Sequence, residues 1–223
     1  SYDNLGISYW DNGDREKGLE YQEKALEIRR EVLGEMHADT ANSYNNVGTS
    51  YWDKGDREKG LEYKEKALEI RRAVLGEMNA YTASSYDNVG ISYEENGDRE
   101  KGLEYKKKAL EIRRAVLGEM HADTAGSYNR VGISYWDKGD CVKGLEYQAK
   151  ALEIRLAVLG EMHTSTATSY NNLGWSFDKL GEHQKAIEYM QKAYEIRSHI
   201  LGNEHPLTQK CLNRLHEYRG KQA

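Results

Sequence analysis

Apolar residues along the chain keep changing their spacing and then return to it. In the stretch from Thr40 to Tyr81, Tyr44, Val47, Gly48 and Tyr51 stand at i, i+3, i+4 and i+7, one stripe of a helix. Gly55-Asp56 interrupts the stripe and predicts a turn, with Asp56 placed to cap the element that follows. Leu61, Ala67, Leu68, Val74 and Leu75 then form the apolar face of a second helix, and Gly76 is placed to end it as a left-handed C-cap. Thr40 stands where the N-cap of the first helix is expected. The predicted unit is helix A, tight turn, helix B and short loop, with helix B roughly 18–20 residues or about 28 Å long.

This pattern recurs every 42 residues. Gly-Leu-Glu-Tyr stands at Gly18–Tyr21, Gly60–Tyr63, Gly102–Tyr105 and Gly144–Tyr147, and its fifth form is Ala186–Tyr189. Glu-Ile-Arg recurs from Glu27, Glu69, Glu111, Glu153 and Glu195. A fixed period of this size signals stacked small units, none of which can bury its apolar face alone. Gly48 and Gly60 fall inside the two helices, where glycine costs about 1 kcal/mol against alanine, so close approach of A and B is expected there. The first copy opens at Ser1, which aligns with Ser43, so its helix A is expected to lack a first turn and cap. At the other end Pro206 starts one more helix through Leu212, Leu215 and Tyr218, read as a solvating cap over residues 207–223. Five repeats are thus expected over residues 1–206.

Tyr44, Val47-Gly48, Tyr51, Gly60 and Ala67 resemble the tetratricopeptide repeat pattern of aromatic, Leu-Gly and Tyr on helix A with small residues on helix B. The long helix B and the Leu-Gly-Glu-x-His loops (Leu33–His37, Leu117–His121, Leu159–His163) are similar to the 42-residue variant of kinesin light chains. Leu201–Pro206 carries the fuller loop form. The resemblance implies an all-α, right-handed superhelical solenoid of antiparallel helix pairs, with helix A lining a groove that takes an extended peptide. Two departures stand out. The residue after the helix B tyrosine, apolar in the family, is Gln22, Lys64, Lys106 and Gln148, with only Met190 apolar, so a more solvated face is expected. The loop proline is Ala38, Ala80, Ala122 or Thr164 in the earlier copies, which predicts less stiff linkers.

Differences between copies cluster on helix A, where a ligand-facing surface would lie. One position forms a ladder of Asn4, Asn46, Asn88, Arg130 and Asn172. An amide donates and accepts at once, which suits the backbone of a peptide of any sequence. The resemblance implies the same use for asparagines at this place. The alternative is that they bond neighbouring helices. Arg130 breaks the ladder and could grip a carboxylate. Beside it stand Trp10, Trp52 and Trp136, suited to holding apolar side chains or to packing between A helices. Asp11, Asp53, Glu95 and Asp137 follow, and with Asp3 and Asp87 they predict an acidic groove that prefers a net-basic peptide. Kinesin light chains take acidic, tryptophan-bearing peptides, so that cargo preference is not carried over.

Composition narrows the classes. Charged residues make up 31% and hydrophobic residues 38%, enough for a thin core between layers and too little for a large one. The net charge of −5 and the lack of a basic tail argue against nucleic acid, and no apolar run is long enough for a membrane. Cys141 and Cys211 fall at unrelated positions of the period, which predicts neither a disulfide framework nor a metal site and makes the cytoplasm the default compartment. His37, His121, His163 and His205 occur one per unit, too far apart to share zinc, and predict capping or loop packing. No phosphate loop and no single nucleophile–base–orienter set is present, so neither catalysis nor a cofactor is expected. Two functions remain: a peptide- or protein-binding scaffold using the A helices, and a structural array that associates head to tail through the edge near Tyr2 and Leu5.

Overall fold

The computed structural model describes residues 2–221, apart from the side chain of Asp3. Ser1 and the two C-terminal residues lie outside the described set. The described residues form eleven helices and no strand. Helix A of successive repeats is α1 (Tyr2–Asp11), α3 (Ala38–Asp53), α5 (Ala80–Glu95), α7 (Ala122–Asp137) and α9 (Thr164–Lys179). Helix B is α2 (Arg15–Leu33), α4 (Arg57–Leu75), α6 (Arg99–Leu117), α8 (Cys141–Leu159) and α10 (His183–Leu201), each of 19 residues, and α11 (Pro206–Gly220) follows.

The turns form as their residues dictate. Gly55 has φ +95°, and Asp56 caps α4 by accepting the Lys59 N–H at 3.2 Å. Gly76 ends α4 with φ +85° but ψ 164°, an extended departure rather than a left-handed helical one. Helix A starts earlier than its sequence suggests. Its cap is His37, whose Nδ1 accepts the Asp39 N–H, while Thr40 lies inside the helix and donates to the Gly34 carbonyl at 2.8 Å. The loop histidine outreaches threonine as an acceptor at this bend, and Asn79 does the same job through its amide oxygen where the histidine is missing.

Two compact units divide the chain, residues 1–116 and 117–223. In the first, Leu19, Leu26, Tyr44, Val47 and Ile70 form one buried cluster, and Leu68, Tyr86, Val89 and Ile112 form another. In the second, Leu152, Tyr170, Leu173, Met190, Ile196, Leu215 and Tyr218 share one cluster, so α11 covers the apolar face of the last helix pair. Gly48 and Gly60 set the spacing of α3 and α4: a Cβ on Gly48 would stand 2.9 Å from the Gly60 carbonyl oxygen. The helices therefore touch backbone to backbone, which no larger residue permits.

Candidate functional site

The helical period carries the ladder position, the residue three further on and the terminal carboxylate onto one stripe of each A helix. In the first unit that stripe borders a cavity of about 190 Å³ lined by Ile7, Trp10, Gln22, Asn46, Thr49 and Asp53. Three periods on, Ile133, Gln148, Asn172 and Trp175 line a second cavity of about 420 Å³, which α10 and α11 enlarge with Arg197, Lys210 and Arg214.

The asparagine ladder divides into two kinds of rung. Asn88 donates to Asn45 Oδ1 at 2.7 Å, and Asn172 donates to Asn129 Oδ1 at 2.8 Å, so both amides join neighbouring A helices. Asn46 makes no side-chain hydrogen bond among the described residues and faces the first cavity. Asn4 is exposed beside Tyr2, Leu5 and Ser8. Arg130 lies near Arg155, whose guanidinium burial and the Arg130 charge push down from its ordinary value.

The tryptophans are also unequal. Trp52 is only 9% exposed, and its indole N–H donates to Glu95 Oε2 at 2.6 Å. Arg57 and Lys64 lie over its ring. Trp10 is half-buried with Arg15 over its ring, and Trp136 packs edge-on against Trp175 with ring centroids 5.4 Å apart. Asp11, Asp53, Glu95 and Asp137 are exposed at the ends of their helices. Asp87 is not: it is buried and paired with Arg113, so it adds no charge to the surface of the stripe.

The residue after the helix B tyrosine corrects a clear expectation. Gln22, Lys64, Lys106, Gln148 and Met190 are all buried. Across Gln22, Lys64 and Gln148 the next A helix supplies a serine partner: Ser50 donates to Gln22 Oε1, Ser176 donates to Gln148 Oε1 at 2.6 Å, and Lys64 donates to Ser92 Oγ at 3.0 Å. Lys106 pairs with Glu94 instead. Both cavities therefore stand at rungs where this residue is glutamine, whereas Lys64 runs on across the Trp52 ring.

The recurrent Glu-Ile-Arg hides a second polar row. Arg71, Arg113, Arg155 and Arg197 are buried, and Arg71, Arg155 and Arg197 each reach the residue fourteen positions on. Arg71 donates to Ser85 Oγ at 2.6 Å and to Asn42 Oδ1 at 2.6 Å, and Arg155 donates to Ser169 Oγ at 2.7 Å. The regular recurrence of the arginine was the available signal; its burial was not visible from composition.

A family model described as tetratricopeptide repeat matches residues 1–73, 40–115, 81–141 and 123–199. The chain belongs to the tetratricopeptide repeat family. No curated protein matches the sequence. Among solved structures, this tetratricopeptide repeat chain is similar to a kinesin-light-chain-like protein of nearly identical TPR-like repeats from Podosopora anserina, with 20% identity, a TM-score of 0.76 and coverage of 88% of this chain and 93% of that one. BtubC (BKLC) from P. vanneervenii is similar at 26% identity and a TM-score of 0.77, covering 91% of this chain and 80% of its own. A Rap protein complexed with Competence and Sporulation Factor shares the fold at 16% identity and a TM-score of 0.71, over 98% of this chain and 64% of that one. The tetratricopeptide repeat family is one of protein-interaction scaffolds. No described helix is long and apolar enough to cross a membrane.

Proposed function

We propose that this protein holds an extended peptide against the A-helix stripe, and that the stripe of the first unit selects Lys or Arg side chains. The observation that carries the reading is the Asn46 amide: it lacks a hydrogen-bond partner among the described residues and faces a cavity whose walls are Trp10, Ile7 and Asp53. A peptide backbone satisfies such an amide in both senses. Trp10 offers an apolar wall, and Asp11, Asp53 and Glu95 offer exposed carboxylates to cations. Asn4 extends the same row. In the second unit Arg130, Asn172, Trp136 and Asp137 occupy the matching register. Asn88, Asn172 and Trp52 serve the site chiefly by fixing neighbouring helices, since each already donates an N–H to a neighbouring A helix. The Rap protein of similar fold, complexed with Competence and Sporulation Factor, accords with a partner held by this architecture.

The test is a peptide array probed with the wild-type chain and with Asn46→Ala and Asp53→Asn. Asn46→Ala should weaken all bound peptides by about three- to tenfold, the value of one net hydrogen bond. Asp53→Asn should weaken only the basic ones, and binding should fall as salt rises. Bound peptides unaffected by Asn46→Ala would overturn the backbone reading, and a preference for acidic peptides on the first unit would overturn the electrostatic one. A second reading, head-to-tail association, draws on Tyr2 and Leu5, which are 46% and 40% exposed. Sedimentation over a concentration series tests it: a mass that rises with concentration, and falls back in Leu5→Asp, favours it.

A further inference from the structure

Four of the five methionines share one register of the repeat, the second residue after the glycine that ends helix B: Met36, Met78, Met120 and Met162. All four are between 51% and 56% exposed, two in each compact unit. The fifth, Met190, is completely buried. The bonds that shape these loops come from the residues on either side of the methionine. Glu35 accepts the Tyr44 hydroxyl at 2.7 Å and pairs with Arg30 at 2.8 Å, and Glu77 holds Tyr86 and Arg72 in the same way at 2.7 Å each. Beyond the methionine, His37 or Asn79 caps the next helix, and Thr40 or Thr82 ties it back to the glycine carbonyl. In the second unit Glu119 accepts the Tyr128 hydroxyl at 2.6 Å, and His121 and His163 repeat the cap. The methionine sulfur takes no part in this polar frame.

The fifth loop shows what the register tolerates. Glu204 stands there in place of methionine and is exposed, and His205 still caps α11 by accepting the Leu207 N–H at 3.2 Å. A polar side chain at this place therefore leaves the loop and the cap intact. The methionine loops present an apolar edge instead: Val74 and Val158, four residues before Met78 and Met162, are exposed as well. An exposed thioether is a soft nucleophile toward peroxides, and its sulfoxide is polar and open to reduction.

We propose that Met36, Met78, Met120 and Met162 form a reversible oxidation site that takes a peroxide as oxidant and turns the loop edge of each unit from apolar to polar while the fold is kept. The sulfur lone pair attacks one peroxide oxygen, the O–O bond breaks and an S–O bond forms. Sulfur loses two electrons to the peroxide, and the departing hydroxide takes the proton of the transferred oxygen and leaves as water. A dithiol-dependent sulfoxide reductase reverses the step by returning two electrons and releasing that oxygen as water. Asn46 lies ten residues beyond Met36, about 15 Å along helix A, so the modification is separate from the peptide stripe.

The experiment treats the full chain with graded hydrogen peroxide at neutral pH and follows every methionine by peptide mass mapping, with the free thiol Cys141 read on its own peptide. The four loop methionines should each gain one oxygen as fast as methionine in an unstructured peptide. Met190 should lag by about a hundredfold or more, because a buried sulfur reacts only through opening of the structure. At the stage where only the loop methionines are oxidised, the melting temperature should be unchanged and elution from a hydrophobic-interaction column should come earlier. Reductases of both sulfoxide epimer specificities, with a dithiol, should restore mass and elution. Met36→Gln/Met78→Gln/Met120→Gln/Met162→Gln should elute early without peroxide and melt as wild type does. A loop methionine as slow as Met190, a melting temperature lowered by loop oxidation, an unchanged elution, or sulfoxides that the reductases do not remove would each overturn the proposal.

Discussion

At the scale of single residues, glycines inside helices fall into two classes that their sequence context does not separate. Gly48 faces the Gly60 carbonyl, with the Tyr63 Cβ and Lys64 Cγ also within 3.1 Å of an added Cβ. Backbone has to move for any side chain there. Gly48→Ala should therefore lower stability by about 1–3 kcal/mol despite the helix propensity it gains. Gly126, in α7, meets only the far end of Arg130 at 3.4 Å. Gly126→Ala should raise stability by up to about 1 kcal/mol. Urea midpoints of the two variants decide: shifts of the same sign would refute the backbone-contact account. The loop histidines repeat the lesson at a cap. Their regular spacing predicted a capping or packing role, and Nδ1 of His37, His121, His163 and His205 accepts the N–H two residues on.

At the scale of the helix pair, one B-helix position decides what lies between the A helices. Met190 is completely buried there, and Lys64, though 8% exposed, carries an ammonium that burial pushes below its ordinary value. Desolvation of the cation outweighs what the Ser92 bond, the Trp52 ring and the charges of Glu95 and Asp53 return. Lys64→Met should therefore raise stability by about 1 kcal/mol, with the Ser92 hydroxyl free to turn to its own helix. Ser134 already bonds in this way, to the Arg130 carbonyl at 3.1 Å. A lower urea midpoint for Lys64→Met would mean that the lysine stabilises the junction. The composition of this position read as solvent-facing because lysine and glutamine usually are. The covering helix comes from the next repeat, and no local pattern shows it.

At the scale of the molecule, a repeat stack is stabilised by nearest neighbours, so local stability follows local burial. α1 has ten residues, and only Gly6 among its described side chains and glycines is buried. α10 sits in the largest apolar cluster, with Ala186, Met190, Ala193 and Ile196 buried and α11 over them. Hydrogen exchange followed by mass spectrometry should find α1 amides exchanging fastest and α10 amides slowest. Equal protection in the two helices would contradict a stability set by burial at each junction. The same gradient bears on function: the first cavity lies against the less buried α1, and the cationic cavity lies against the best packed end of the second unit.

The sequence by itself determined the period, the helix pairs, the turns at Gly55-Asp56 and its equivalents, and the close approach at Gly48 and Gly60. These are local or strictly repeated, so spacing and backbone sterics suffice to read them. It also placed the asparagine ladder and the terminal carboxylates on one stripe of helix A. Only the tertiary structure decided which of them are open. Asn46 and Asn88 occupy the same position of the period, yet one faces a cavity and the other bonds Asn45. Asp53 and Asp87 both read as surface acids, yet Arg113 holds Asp87 in the interior. The buried arginines and the Gln22 and Gln148 rungs were unreadable for the same reason. A polar side chain is inside or outside according to what the neighbouring repeat lays over it, and that neighbour is a period away in the chain.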